Sequence, residues 1–182
     1  MKNKNVLYPA LATIVGALLL LITLILPFAS ANEDYTERLM SYPDSVYSEE
    51  ADMTNKDAVN ISLIEFIKID SAAIESGISE GTAIANMVVI IAFIVFATLT
   101  LLFSILKKSI PALISDIISF AVMQLIKFDF EDRGVIPSSS YEWGIAHFVC
   151  YIGIAIVAVG AVLLLIAKIK NKRSTKTSEQ SV

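Results

Sequence analysis

"LPFASANEDY", residues 26–35, closes an apolar run that begins at Val6, and two incompatible structures follow from how it is read. Ala29-Ser30-Ala31 has the small-x-small pattern of a signal-peptidase site, and helix-breaking Pro27 just before it suits that enzyme. Cleavage there would remove the run and leave a free N-terminus at Asn32. The run itself argues the other way. Val6 to Leu26 is 21 residues without a charge, whereas a cleavable signal carries an apolar stretch of about 7 to 15. About 20 such residues cross ~30 Å of hydrocarbon. Retention as a first membrane helix is therefore the expectation.

Three further runs have a similar length. The chain has 182 residues, 55% of them apolar and only 18% charged, and the excess apolarity is gathered into blocks. Ala83 to Leu106 is 24 residues without a charge, Ile110 to Ile126 is 17 with one acid, and Gly144 to Ala167 is 24 with one histidine. Closed β-barrels alternate apolar and polar residues, but "MVVIIAFIVFATLTLLF" (87–103) is apolar on every side, as a helix in lipid is. The expected fold is an all-α membrane protein: a bundle of four transmembrane helices at 6–28, 83–106, 110–126 and 144–167. A partly helical extracytoplasmic segment, 29–82, joins the first two.

Charge sets the threading. Lysine and arginine in short flanking segments resist translocation. The N-terminus (1–5), the 107–109 turn and the tail (168–182) hold nine of the fourteen cations, whereas 31–82 and 127–143 hold five cations against sixteen acids. Both termini are expected in the cytoplasm of a cell whose plasma membrane the chain spans.

The outer segment divides near Asp57. Its first half is rich in acids, Tyr and Ser and has too little apolar content for a core of its own. Its second half contains Ser62 three residues before Glu65, a capping-box pattern. A short helix near 62–75 is expected, burying Leu63, Ile64, Phe66, Ile67 and Ile74, while "AVNISLIEFIKI" also admits a β reading. Residues 31–82 carry three cations against twelve acids. Such a surface attracts cationic peptides or metal ions, although the topology rule alone produces an acidic outer loop. Asp52, Asn55 and Asp57 lack the turn glycine and closing glutamate of a calcium loop.

Polar groups inside the apolar runs are few. Asp116 lies six residues beyond Ile110, roughly 9 Å into the hydrocarbon. A charge at that depth is expensive, so the group is expected to be neutral, hydrogen-bonded, wet or functional. Counting from the cytoplasmic side places Thr13, Thr98 and Thr100 at the same depth, with Ser115 and Ser119 beside it. These six residues form the expected polar cluster. The plainer reading is a packing determinant: a protonated acid bonded to a hydroxyl. His147, near the outer end of the fourth helix, is too far along the membrane normal to pair with it. Close helix approach in lipid needs small residues, which points to Ala12 and Gly16 on the first helix and to a fourth-helix face containing Gly153 and Gly160. Tyr141 and Trp143 are placed as interfacial anchors.

No phosphate loop, HExxH, CxxC or convergent Ser-His-Asp set is present, and one His with one Cys (Cys150) leaves little for a metal or nucleophilic site. No enzyme activity, cofactor, metal or nucleic-acid partner is expected. Leu26-Pro27-Phe28 at the end of the first run and "SLIEF" (62–66) before the second resemble small uncharacterised four-helix integral membrane proteins of Gram-positive bacteria. That resemblance implies a bacterial plasma membrane and no particular activity. Two functions stand: a non-enzymatic binding or accessory subunit that uses its acidic outer segment, or a small oligomeric transporter or channel with Asp116 in a polar path. The partners expected are the lipid bilayer and either a protein on the outer side or a second copy of the chain.

Overall fold

A computed structural model describes residues 4–179, and the side chains of 6–172. Lys2 of the expected cytoplasmic N-terminus, the side chains of Arg173 and Lys176 in the tail, and residues 180–182 lie outside the described residues. The chain is mostly helical. Four long helices, α1 (Lys4–Ile22), α5 (Glu80–Ile105), α6 (Ser109–Asp132) and α7 (Ile145–Glu179), are joined at one end by a cap. The cap holds α2 (Glu33–Met40), α3 (Asn55–Ala58), α4 (Leu63–Glu75) and five short strands: β1 (Pro27–Ala31), β2 (Val46–Ser48), β3 (Met53–Thr54), β4 (Asn60–Ser62) and β5 (Tyr141–Trp143). Three helices are long and apolar enough to cross a membrane: Glu80–Ile105, Ser109–Asp132 and Ile145–Lys172. The apolar part of α1, Val6–Ile22, is shorter.

The first helix stops earlier than its composition suggests. Thr23 turns its hydroxyl onto the Leu19 carbonyl at 3.0 Å, and Leu24 and Ile25 make tightened i→i−3 bonds. Pro27 lacks an N–H and disfavours helix in the residue before it, so the chain leaves Leu26 extended. The residues read as a cleavage site become β1. It is the middle strand of a three-stranded antiparallel sheet, ordered β4-β1-β5. This corrects the all-helical expectation. Pro27 ends the helix, and the extended chain after it pairs its backbone with a strand on either side.

The other helices run past their apolar blocks. On α6 the extension to Asp132 carries two i,i+4 ion pairs, Lys127 with Glu131 at 3.6 Å and Asp129 with Arg133. On α7 no glycine or proline interrupts the basic tail, so the helix continues to Glu179. Lys168 of α7 donates to the Lys107 carbonyl in the α5–α6 turn.

In the cap, both readings of "NISLIEF" apply in sequence. Asn60–Ser62 pairs with β1 as a strand, and α4 starts at Leu63 behind a complete capping box: the Ser62 amide donates to Glu65 Oε2 at 2.6 Å, and the Glu65 amide to Ser62 Oγ at 3.2 Å. Leu63 and Phe66 are buried, Ile67 and Ile74 are half-buried, and Ile64 is exposed. The first half of the segment also folds, around buried Leu39, Ala51, Met53 and Ala58. Asp57 closes a second capping box with Thr54, and hydrogen bonds from Thr54 hold its carboxyl below the usual range. The cap meets the helices through aromatic rings. Phe28 packs edge-on against Phe130 and Trp143, with centroids 5.8 and 5.6 Å apart, and Phe66 lies 4.7 Å from Phe130.

Among the long helices, α1 lies along α7 and against α5, and α6 lies against both α5 and α7. The α1–α7 seam is made by glycine. A Cβ added at Gly16 would lie 2.8 Å from the Gly153 carbonyl oxygen and from the Val157 amide nitrogen, and one at Gly153 would lie 3.0 Å from the Gly16 carbonyl oxygen. Gly160 faces Thr13 in the same seam. Ala12 is only half-buried; Gly16, Ala17 and Leu20 carry the α1 face instead. The outward faces of these helices are apolar as well, with Leu7, Leu11, Val88, Ile91, Ile114 and Val159 exposed.

Candidate functional site

Beyond Asn86 near the cap, the buried side chains of α5 and α6 fall into an apolar part and a polar part. Toward the cap, α5 and α6 bury Ile90, Phe93, Met123, Ile126 and Phe130; toward the α5–α6 turn they bury Thr100, Ser104, Ser115, Asp116 and Ser119 among alanines. Thr13 of α1 is fully buried at the polar end. Asp116 is 1% exposed, so it faces the interior and not the surroundings.

The hydroxyls at this end do not bond to Asp116. Four of them donate to their own helix: Thr13 to the Ala10 carbonyl at 2.8 Å, Thr100 to Phe96 at 2.8 Å, Ser104 to Thr100 at 2.7 Å and Ser119 to Ser115 at 2.9 Å. The helical carbonyl one turn back is always within reach and has a second lone pair to share, whereas a neighbouring helix must hold its acceptor at the right rotation. No donor among the described residues reaches Asp116 Oδ1. Thr98 is a correction to the expected cluster. It is exposed and bonds to Ile94, because two residues along a helix are about 200° around it from Thr100. His147 sits apart, stacked on Trp143 at 4.6 Å and edge-on to Tyr151 at 4.8 Å.

A buried acid with an unmet oxygen costs stability, and a neutral apolar residue of similar volume removes the cost. Asp116→Val is expected to raise the unfolding free energy in detergent by about 1 to 3 kcal/mol. Thermal unfolding of the two proteins side by side decides it. A lower midpoint for the variant would mean that Asp116 is a supported structural acid.

A second buried polar pair was missed by sequence reading. Asp70 of α4 is 7% exposed and Asn86 of α5 is 4% exposed. Asn86 Nδ2 donates to Asp70 Oδ2 at 2.5 Å, joining the cap to a long helix. Asn86 Oδ1 has no donor among the described residues. Asp70 follows an apolar stretch in which every fourth residue turns inward, and that period, counted from Leu63 and Phe66, was the signal available.

Burial raises the Asp70 carboxyl from 3.8 to about 6, with the Asn86 bond and Arg133 opposing and Asp129 adding to the rise. The folded state therefore binds an extra proton between those two values. The contribution of Asp70 is most favourable below the lower one and is lost as pH rises through about 6. Asp70→Asn keeps an acceptor for Asn86 and removes the titration. The stability difference between wild type and variant should widen in the variant's favour from pH 4 to pH 7, read by Trp143 fluorescence. A difference that does not change with pH would contradict this assignment.

No protein-family model matches the chain, and no curated protein or solved structure is significantly similar to it.

Proposed function

We propose that the chain is a non-enzymatic binding or accessory subunit of the plasma membrane. It spans the bilayer with four helices, keeps both termini in the cytoplasm, and presents a folded acidic cap outside. The observation that carries this reading is the cap. Strand β1, emerging from α1, is held between β4 and β5, so residues separated by more than 100 positions are organised into one surface. Glu33, Asp34, Glu37, Glu49, Glu50 and Asp52 are exposed on it. Such a surface suits a cationic protein partner.

A fourth span is supported by length. The 17 apolar residues Val6–Ile22 rise about 25 Å, and the tightened turn through Leu26 adds about 8 Å, which together match ~30 Å of hydrocarbon. Retention of α1 is supported by what its loss would remove: the middle strand, and Phe28 from the aromatic core.

Two measurements test the proposal. The intact mass of protein purified from membranes should include residues 1–31; a chain beginning at Asn32 would end the four-helix reading. A photoreactive group at exposed Tyr42 should then give one discrete, salt-sensitive adduct in native membranes. The adduct should disappear when Glu33, Glu37, Glu49 and Glu50 become Gln. Absence of any adduct, together with altered ion flux in Asp116→Asn, would favour a transporter. The unmet Asp116 oxygen is what supports that second reading. Because the α1–α7 seam is closed by glycine contacts, its path would run elsewhere or between copies.

A further inference from the structure

A cleft of about 290 Å³ lies between α1 and α7 at the end away from the cap, lined by Pro9 from one helix and by Leu163, Ile166, Ala167, Lys170 and Asn171 from the other. On α7 these residues recur every three or four positions, so they form one stripe along the helix. Leu163 and Ile166 are exposed, Pro9 and Ala167 are half-buried, and exposed Lys170 stands one turn beyond the apolar α7 residues. An apolar trough therefore ends on an ammonium, about 10 Å from its start at Leu163. Lys170 makes no ion pair among the described residues. The charge around it is one-sided. Lys107 and Lys108 of the α5–α6 turn and Lys168 and Lys172 of α7 lie at the same end, and Lys168 donates to the Lys107 carbonyl. Asp116 of α6 is sealed inside the bundle, and the first acid beyond Lys170 on α7 is Glu179, more than two turns away. The topology rule accounts for cations at this end, but not for a cleft beside them.

We infer that this cleft binds a phospholipid of net negative charge, with the head-group phosphate on Lys170 and the start of one acyl chain against Pro9, Leu163 and Ile166. In the membrane placement proposed above, on which this rests, the apolar block of α7 ends at Ala167 and Lys170 lies at the cytoplasmic head groups. A phosphate accepts hydrogen bonds from the ammonium, and a net negative head group also gains from the other four lysines at this end. A zwitterionic head group brings an ammonium of its own into the same field and loses most of that gain. A soluble anion would leave the apolar trough unused.

Native mass spectrometry of the full chain in detergent, with phosphatidylglycerol and phosphatidylethanolamine of identical acyl chains, separates these cases. Phosphatidylglycerol should be retained about ten-fold more tightly, the effect of one to two lysines on an anionic lipid. Lys170→Gln should cut that preference about five-fold, whereas Lys172→Gln, outside the cleft, should change it by less than about two-fold. Ala167→Phe fills the cleft, keeps every charge and should abolish the preference. If it also lowers the thermal midpoint, the surface change Lys170→Gln decides the matter. Excess glycerol phosphate should not displace the lipid; displacement by it would overturn the lipid in favour of a soluble anion. Equal retention of the two lipids, no retention of either, equal losses from Lys170→Gln and Lys172→Gln, or a preference that survives Ala167→Phe in a folded protein overturns the inference. Release of the wild-type chain from membranes by alkaline carbonate would instead overturn the membrane placement beneath it.

Discussion

Phe28→Ala should lower the unfolding free energy of the cap by about 3 to 5 kcal/mol, the range for deleting a fully buried aromatic ring. Phe28 has no exposed surface and contacts Phe130 of α6 and Trp143 of β5. Its loss opens a cavity where the cap meets the long helices, and the neighbouring rings belong to two separate elements that cannot collapse together into it. The chain has one tryptophan, and that indole touches Phe28, so fluorescence reports the lesion directly. Trp143 should report unfolding at a lower temperature in the variant, while far-ultraviolet helicity persists to a higher one. Coincident transitions at the wild-type temperature would mean that the cap does not depend on this junction.

The second large effect is expected at Gly144, which links β5 to α7. A Cβ there would sit 2.2 Å from the Pro27 carbonyl oxygen and 2.6 Å from its carbon. Both are backbone atoms of the middle strand, so no side-chain rotation relieves the contact. The Gly144 amide also donates to the Phe28 carbonyl at 2.9 Å, and separating the two segments breaks that bond as well. Gly144→Ala should cost about 3 kcal/mol or more, at the top of the range for overpacking. Gly81→Ala is the control, because nothing lies within 4 Å of a Cβ at that helical position. There alanine should be neutral or stabilising by up to about 1 kcal/mol. Folding of Gly144→Ala at wild-type stability would show that β1 and α7 do not approach as closely as this.

Much of this architecture is legible in the sequence. Continuous apolar runs located α5, α6 and α7, because a helix surrounded by lipid must be apolar all round. The Ser62–Glu65 spacing placed the start of α4 to the residue, because a capping box is a local hydrogen-bond pattern. The small residues on α7 marked the face that meets α1, because close backbone approach admits nothing larger.

The positions of polar side chains were not readable in the same way. Depth along a helix follows from counting residues, but rotation about its axis relative to a neighbour depends on how whole helices pack. Thr98 and Thr100 share a depth, and only Thr100 faces inward. Asp70 and Asn86 are 16 residues apart on different helices, and nothing local links them. The stretch "PFASA" carries both the pattern of a peptidase site and the makings of a strand. Composition could say only that a helix would end there. That these residues form the middle of a sheet depends on partners about 30 and 115 positions away in the chain, and long-range strand pairing is a property of the folded chain that no local propensity encodes.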